Sequence, residues 1–192
     1  MSRSAAAISA KRFVADLAAL RADLSDGDLR LELFADRHVE PLRAACAEDP
    51  EIWQIMPRSL LGEHFDAEIT NRRSGTGVLY AVCRGERVVG TTAFLRPDAV
   101  EGVLEIGGTY IAPSLRGTGC NGRMKRLMID HAFACGFRRI EFRIDERNAR
   151  SQAAVAKLGA HREGLLRQDR VTWTGHLRST CIFGLLREDW GK

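Results

Sequence analysis

Residues 104–122 read LEIGGTYIAPSLRGTGCNG, and this stretch decides the fold. It opens with residues that favour a β-strand, is interrupted at Pro113 and enters a glycine-rich turn at Arg116–Gly122. Apolar residues at spacings of three and four then predict a helix, with one face formed by Met124, Leu127, Met128, Ala132 and Cys135. A strand, a glycine-rich loop and a helix N-terminus in this order aim unpaired backbone amides at an anion. The stretch therefore predicts a ligand that carries phosphate groups.

Two kinds of phosphate ligand fit this loop. Gly117-Thr-Gly-Cys-Asn-Gly122 matches the G-x-G-x-x-G dinucleotide fingerprint, and Glu141 follows in the range where an acidic residue is expected. Against a dinucleotide, Pro113–Arg116 separates the strand from the first glycine, and the chain after Gly122 is too short for the remaining βαβ units. Glu141 also lies inside the predicted strand Arg139–Ile144 rather than at its end. A Walker loop is excluded because no Gly-Lys-Ser/Thr follows.

The second kind of ligand comes from a family resemblance. Arg116-x-x-Gly119-x-Asn121 resembles the R/Q-x-x-G-x-G/A acetyl-CoA loop of the GCN5-related N-acetyltransferases, the GNAT family. The flanking E-I-G strand, I-x-P turn, N-x-R-S and K-L-G-A segments agree with that family. The later E-G-L-L-R and E-D-W segments are most similar to its RimJ/RimL-like branch. The resemblance covers Leu29 to Trp190, and Asn121 departs from it because the family prefers Gly or Ala there.

The predicted fold is a single-domain GNAT-type α/β structure with helices flanking a mixed central sheet. Periodicity gives the element order β-αα-βββ-α-β-α-ββ, and the Tyr110–Arg138 crossover is consistent with a parallel strand pair. The resemblance implies that this pair is splayed, and Gly107-Gly108 predicts a bulge in the central strand. Residues 1–28 are expected to form an N-terminal extension, helical over Ala5–Leu24, before an N-acetyltransferase domain at residues 29–192.

Composition restricts the partners. The chain has 192 residues, 45% of them hydrophobic and 28% charged, as is typical of one soluble domain. No apolar run approaches the roughly 20 residues that span a bilayer, so no membrane partner is expected. The net charge of +4 comes from scattered arginines, so no nucleic-acid partner is expected. Five cysteines without metal-ligand spacing predict reduced thiols, a cytoplasmic location and no metal.

The resemblance implies that acetyl-CoA is the co-substrate and indicates which residues would hold it. The expected cofactor-binding residues are Tyr110, Ile111, Arg116, Gly117, Thr118, Gly119, Cys120, Asn121 and Asn148. Tyr110 and Ile111 would present backbone groups to the pantetheine arm, unless the bulge serves only sheet curvature. Asn148 would bond the pantetheine with its amide, or act only as a helix N-cap. Cys120 lies at a helix N-terminus, where thiol pKa values fall, but we interpret it as a packing residue rather than a nucleophile.

Two residues are the catalytic candidates. The resemblance places a catalytic base at Glu105, just before the glycine pair, and an alkylamine needs one because its reference pKa is about 10.4. The alternative is a structural carboxylate on the outer face of the sheet. Ser151 matches the position expected to protonate the departing thiolate, and its alternative is an ordinary serine in the first turn of a helix.

The sequence thus predicts an N-acetyltransferase that moves an acetyl group from acetyl-CoA to a primary amine by direct attack. The acceptor stays open between a protein N-terminus, an amino acid and another small amine, so the partner is a small-molecule or peptide amine. A homodimer is a further expectation. The alternative from another class is a non-catalytic acyl-CoA-binding sensor, which Glu105 and Ser151 facing away from the pocket would favour.

Overall fold

The structure is a computed structural model that describes residues 14–191. Its strands are β1 Leu24–Asp26, β2 Leu29–Leu33, β3 Val78–Arg84, β4 Arg87–Asp98, β5 Val103–Ile111, β6 Arg139–Asp145, β7 His161–Val171 and β8 Leu177–Leu186. Its helices are α1 Val39–Ala47, α2 His64–Ser74, α3 Cys120–Ala134 and α4 Ala149–Ala156. The strands form one sheet in the order β1-β2-β3-β4-β5-β6-β8-β7. The predicted α/β fold with a mixed sheet is confirmed.

The sheet opens at its centre. Strands β5 and β6 are parallel neighbours, but they pair only where Val103–Glu105 meets Arg139–Glu141. Beyond Glu105 both strands continue without pairing to each other, and this leaves a gap in the sheet. The register of β5 against β4 shifts next to Gly108, which has a φ of 60°. An extra residue at such a bulge bends its strand, so the predicted bulge and the splayed pair are both confirmed.

Alternating residues of the central strands face two different layers. Ile106 of β5 and Phe142 of β6 belong to the main hydrophobic core, which also contains Met124 and Met128 of α3. The opposite face carries a smaller apolar cluster of α1, α2 and neighbouring residues: Leu42, Ala45, Cys46, Trp53, Leu60, Phe65, Ile69 and Tyr110. Complete burial of one large apolar side chain contributes about 1.5–3 kcal/mol, so both layers fix the position of β5.

The N-terminal segment differs from its prediction. The described part of the helix expected over Ala5–Leu24 is not helical, since residues 14–23 form turns and irregular backbone and β1 follows; residues 5–13 lie outside the described residues. The Ala15 amide donates to the Ala99 carbonyl at 3.0 Å. The hydroxyl of Tyr80 lies 3.1 and 3.0 Å from the carbonyl oxygens of Leu20 and Ala22. These long-range contacts override the helix propensity of the alanine-rich sequence.

Three further observations concern a helix boundary, the cysteines and membrane-spanning helices. The second helix after β2 begins at His64, and the hydroxyl of Ser59, which precedes it, accepts a hydrogen bond from the Leu61 amide at 3.1 Å. All five cysteines are buried and unpaired in the structure. Within residues 14–191, no helix is both long and apolar enough to cross a bilayer.

Candidate active site

A cavity of about 930 Å³ occupies the gap between β5 and β6 and reaches the N-terminus of α3. Its walls include the glycine-rich loop, the bulged part of β5 and the first turn of α4. Glu105, Asn121, Asn148 and Ser151 all line it. The structure therefore brings the predicted catalytic pair and the predicted phosphate loop to one cavity.

The glycine-rich loop presents backbone amides to this cavity. Gly119 is the N-cap of α3 with a φ of 84°, and no side chain caps the helix. The amides of Asn121 and Gly122 have no hydrogen-bond acceptor among the residues that the structure describes. A Cβ added at Gly117 or Gly119 would meet nothing within 4 Å, so the space in front of the loop is open. Unpaired amides at a helix N-terminus form an anion site.

Arg116 stabilises the loop from behind. Its Nε donates to the carbonyl of Ile111 at 3.0 Å, and its guanidinium forms an ion pair with Asp49. The guanidinium also lies 5.7 Å from the centroid of the Tyr110 ring. The ion pair lowers the pKa of Asp49. Arg116 is therefore held by the protein, and the Ile111 carbonyl, predicted to be available to pantetheine, already accepts a hydrogen bond.

Thr118 and Cys120 turn their side chains away from the cavity. The Thr118 hydroxyl donates to the Leu115 carbonyl at 2.8 Å. Cys120 is buried in the main core, where desolvation raises the pKa of its thiol. A buried thiol of raised pKa is a poor nucleophile. The structure thus places Cys120 as a packing residue, and neither Thr118 nor Cys120 lines the cavity.

Tyr110 anchors the bulged half of β5 to α1. Its hydroxyl donates to the Ala45 carbonyl at 2.6 Å, and its ring stacks on Trp53 with centroids 5.0 Å apart. Because the side chain is fully engaged, Tyr110 can offer only backbone groups to a ligand. Trp53 and Phe65 are buried in the smaller apolar cluster, and both Trp53 and half-buried Met56 line the cavity.

Glu105 occupies the last paired position before the strands part, opposite Glu141 of β6. Its side chain is buried and forms an ion pair with Arg96. Burial raises the pKa of the Glu105 carboxyl, and the nearby arginines offset part of that rise. A Cβ on Gly107 would come within 2.8 Å of the Glu105 Oε1 atom, so this glycine makes room for the carboxylate. The position suits a proton acceptor inside the cavity.

The start of α4 supplies two polar side chains. Asn148 is the N-cap, and its Oδ1 accepts a hydrogen bond from the Ser151 amide at 3.0 Å. The Nδ2 group of Asn148 and the hydroxyl of Ser151 have no partner within residues 14–191. The N-cap role of Asn148 is therefore observed, and its second hydrogen-bonding group remains available to a ligand.

Sequence reasoning missed the cations around the cavity. Lys125 of α3 is buried, and its Nζ donates to the Thr109 hydroxyl at 2.7 Å. Desolvation lowers the pKa of Lys125 to about 7. Arg96 and Arg143 also line the cavity. The period-two alternation of Arg139–Asp145 could have indicated that Arg143 faces away from the core, but nothing local indicated its neighbours on other strands.

Glu32, His38 and Cys83 form a separate cluster with the ligand types of a metal site. Both ring nitrogens of His38 are engaged, Nδ1 with the Ala35 amide at 3.0 Å and Nε2 with Glu32 at 3.1 Å. Hydrogen bonds from arginines and His38 lower the pKa of Glu32 to about 2, and burial raises the pKa of Cys83 to about 11. These hydrogen bonds and ion pairs account for the cluster as a structural network.

Comparison with known proteins agrees with this geometry. Residues 28–161 match the model of the acetyltransferase (GNAT) domain. A protein described as a probable acetyltransferase of the GNAT family from Chromobacterium violaceum superposes with a TM-score of 0.88, at 26% identity over 100% of this chain and 98% of that chain. A GCN5-related N-acetyltransferase from Brucella melitensis gives a TM-score of 0.81, at 26% identity over 88% of this chain and 80% of that chain. RimL, a ribosomal L7/L12 alpha-N-protein acetyltransferase, shares the fold with a TM-score of 0.74, at 17% identity over 86% of this chain and 94% of that chain. The chain therefore belongs to the GNAT acetyltransferase family and is an acetyl-CoA-dependent N-acetyltransferase.

Proposed function

We propose that this enzyme transfers the acetyl group directly from acetyl-CoA to a primary amine, with Glu105 as the proton acceptor. The observation that carries the proposal is the place of Glu105: a buried carboxylate where β5 and β6 part, in the same cavity as the α3 N-terminus. The acceptor belongs to the class of protein N-termini, amino acids and other small amines. A member of the RimJ/RimL-like branch would act on the first of these.

The loop would hold the phosphate end of acetyl-CoA. The open space in front of Gly117 and Gly119 and the unpaired amides of Asn121 and Gly122 support a pyrophosphate there. The gap between β5 and β6 is continuous with this site. The pantetheine arm would lie in the gap, within reach of the Asn148 side-chain amide, and would carry the thioester toward Glu105.

In the proposed reaction the amine nitrogen attacks the thioester carbonyl carbon and forms the new C–N bond. The nitrogen gives its proton to Glu105, directly or through one water. The C–S bond of the thioester then breaks, and the departing thiolate takes a proton from Ser151. Ser151 regains a proton from solvent water, and Glu105 releases the amine proton to solvent. Burial raises the pKa of Glu105, which brings it closer to neutral pH and makes it a better base than an exposed carboxylate.

Two measurements test this proposal. Acetyl-CoA should raise the Tm of the protein by mass action, whereas NAD at the same concentration should not. Release of the CoA thiol should then depend on an amine from a panel of peptides, amino acids and polyamines. A larger Tm shift with NAD would contradict the assignment of the loop. Acetyl-CoA binding without amine-dependent thiol release across the panel would contradict direct transfer.

A further inference from the structure

Arginines surround Glu105 on the sheet face that points away from α3. Ile140, Phe142 and Ile144 of β6 enter the main core, so the alternating Arg143 faces the other side with Glu105. Strand β8 follows the same rule, because Cys181 and Phe183 enter the core and Arg178 does not. Arg170 of β7 is the register partner of Arg178 and shares its face. All three of these arginines line the cavity.

Arg178 is a buried cation without an adequate counter-charge. The residue is 3% exposed, and its Nε has no hydrogen-bond partner among the described residues. Its nearest carboxylate is Asp145, at 3.9 Å. Arg147 already binds both oxygens of Asp145, at 2.9 and 2.8 Å. Burial lowers the pKa of Arg178, but an arginine side chain stays protonated in a protein.

The two neighbouring arginines are also under-satisfied. The Nε atom of Arg143 is buried without a hydrogen bond, and it lies 3.7 Å from Glu141, which also binds Arg139. Within residues 14–191, the guanidinium of Arg170 has neither a side-chain hydrogen bond nor an ion pair. A buried charge without a partner is costly to stability. Arg178 is such a charge, and half-buried Arg143 and exposed Arg170 add two further cations to the same cavity wall. Three cations with so few counter-charges beside Glu105 indicate a site for an anion.

The cofactor phosphates do not account for these cations. The amides that bind the pyrophosphate belong to α3, which packs on the opposite face of the sheet. The other carboxylates on this side of the cavity are already engaged, Asp145 by Arg147 and Glu68 by Arg72 at 2.8 Å. A protonated polyamine would add positive charge where positive charge is already in excess.

We propose that the acceptor amine carries a carboxylate or phosphate group, which Arg143, Arg170 and Arg178 bind while the amine faces Glu105. This inference rests on the proposed function and specifies its substrate class. The guanidinium groups would bind the anion through charge-assisted hydrogen bonds, which are shorter and stronger than neutral ones. The same positive charges favour the neutral form of the amine, which is the form that attacks the thioester.

Calorimetric binding to the CoA-loaded protein tests the proposal without turnover. Three matched pairs separate the sources of the anion: alanine against alaninamide, amidated Glu-Ala-Ala against amidated Gln-Ala-Ala, and phosphoethanolamine against ethanolamine. In at least one pair, the anionic member should bind about 10- to 100-fold more tightly than its partner. The proposal is overturned if every neutral member binds as tightly as its anionic counterpart, or if no member of any pair binds.

Variants then assign the preference to the arginines. Arg170→Gln should reduce the anionic preference about tenfold or more, whereas Arg167→Gln, a control on the same strand that does not line the cavity, should leave it unchanged. Arg178→Met should abolish the preference; if it fails to fold, Arg143→Gln replaces it. An unchanged preference in Arg170→Gln and in Arg143→Gln would refute the site. All variants should bind CoA with the same affinity. If the wild-type protein itself does not bind CoA, the proposed function is refuted and not this inference alone.

Discussion

Lys125→Met tests the electrostatics of the cavity wall. The Lys125 ammonium group is fully buried, and its one hydrogen bond reaches the Thr109 hydroxyl at 2.7 Å. Glu105 is the charged group that raises its pKa, and desolvation outweighs that effect. Methionine has a similar length without the charge, so the substitution removes the desolvation cost and one hydrogen bond. Thr109 keeps its 2.8 Å hydrogen bond to Thr92.

The expected effect depends on pH. The pKa of Lys125 is 10.5 in the unfolded chain and about 7 in the folded protein. The unfolded chain therefore binds more protons between these values, and the stability of the wild-type protein rises with pH in that window. One pKa unit corresponds to about 1.4 kcal/mol, so this residue should contribute about 2–3 kcal/mol more to the free energy of unfolding at pH 9 than at pH 6. The difference in the free energy of unfolding by which Lys125→Met exceeds the wild-type protein should therefore shrink by that amount between pH 6 and pH 9.

Urea denaturation of both proteins at the two pH values measures this difference. Lys157→Met is the matched control, because Lys157 is exposed at the end of α4 and its substitution should have nearly the same small effect at both pH values. The reasoning is refuted if the stability difference between Lys125→Met and wild type does not change with pH. It is also refuted if that difference grows as the pH rises.

Three further variants probe the rest of the site. Gly119→Val places a branched side chain at a φ of 84° in front of the loop amides, so calorimetry should show at least tenfold weaker CoA binding in a folded protein. Unchanged affinity would show that the phosphate groups bind at another site. Ser151→Ala should lower turnover less for acyl donors with better leaving groups, and an equal loss for all donors would remove Ser151 from thiolate protonation. Tyr110→Phe removes the 2.6 Å hydrogen bond to the Ala45 carbonyl, which still accepts from the Glu48 amide at 3.3 Å, so urea denaturation should show a free energy of unfolding lower by about 0.5–1.5 kcal/mol. No loss would show that this bond does not secure β5.

The central strand and its loop were readable from the sequence because their signals are local. Gly107-Gly108 predicted the bulge, and the turn Arg116–Gly122 with its apolar helical stripe predicted the start of α3. The dinucleotide alternative rested on three glycines and the position of Glu141, and the match to the GNAT domain over residues 28–161 replaces it. Both Glu105 and Ser151 line the cavity, contrary to the arrangement that would have favoured a sensor.

The arginine site could not be read in the same way. Arg143, Arg170 and Arg178 lie on three strands, and only the non-local pairing of β6 with β8 and of β8 with β7 brings them together. Nothing in the local sequence marks Lys125 as a buried residue, because the sequence does not show that Thr109 lies opposite it. The N-terminal segment was misread for a related reason: its backbone is held by Ala99 and Tyr80, which are distant in the chain.

The role of Glu105 is tested most directly by the turnover of Glu105→Gln across pH 6 to 9 with an identified acceptor. Glutamine keeps the shape and loses the basicity, so acetyl-CoA binding should persist while turnover falls by about 10²–10⁴-fold. The turnover deficit should shrink as the pH rises toward the pKa of the acceptor amine, because the amine then arrives deprotonated. Glu68→Gln, which changes a carboxylate of the same cavity, should keep most of its turnover. Wild-type turnover by Glu105→Gln across this range would contradict the account.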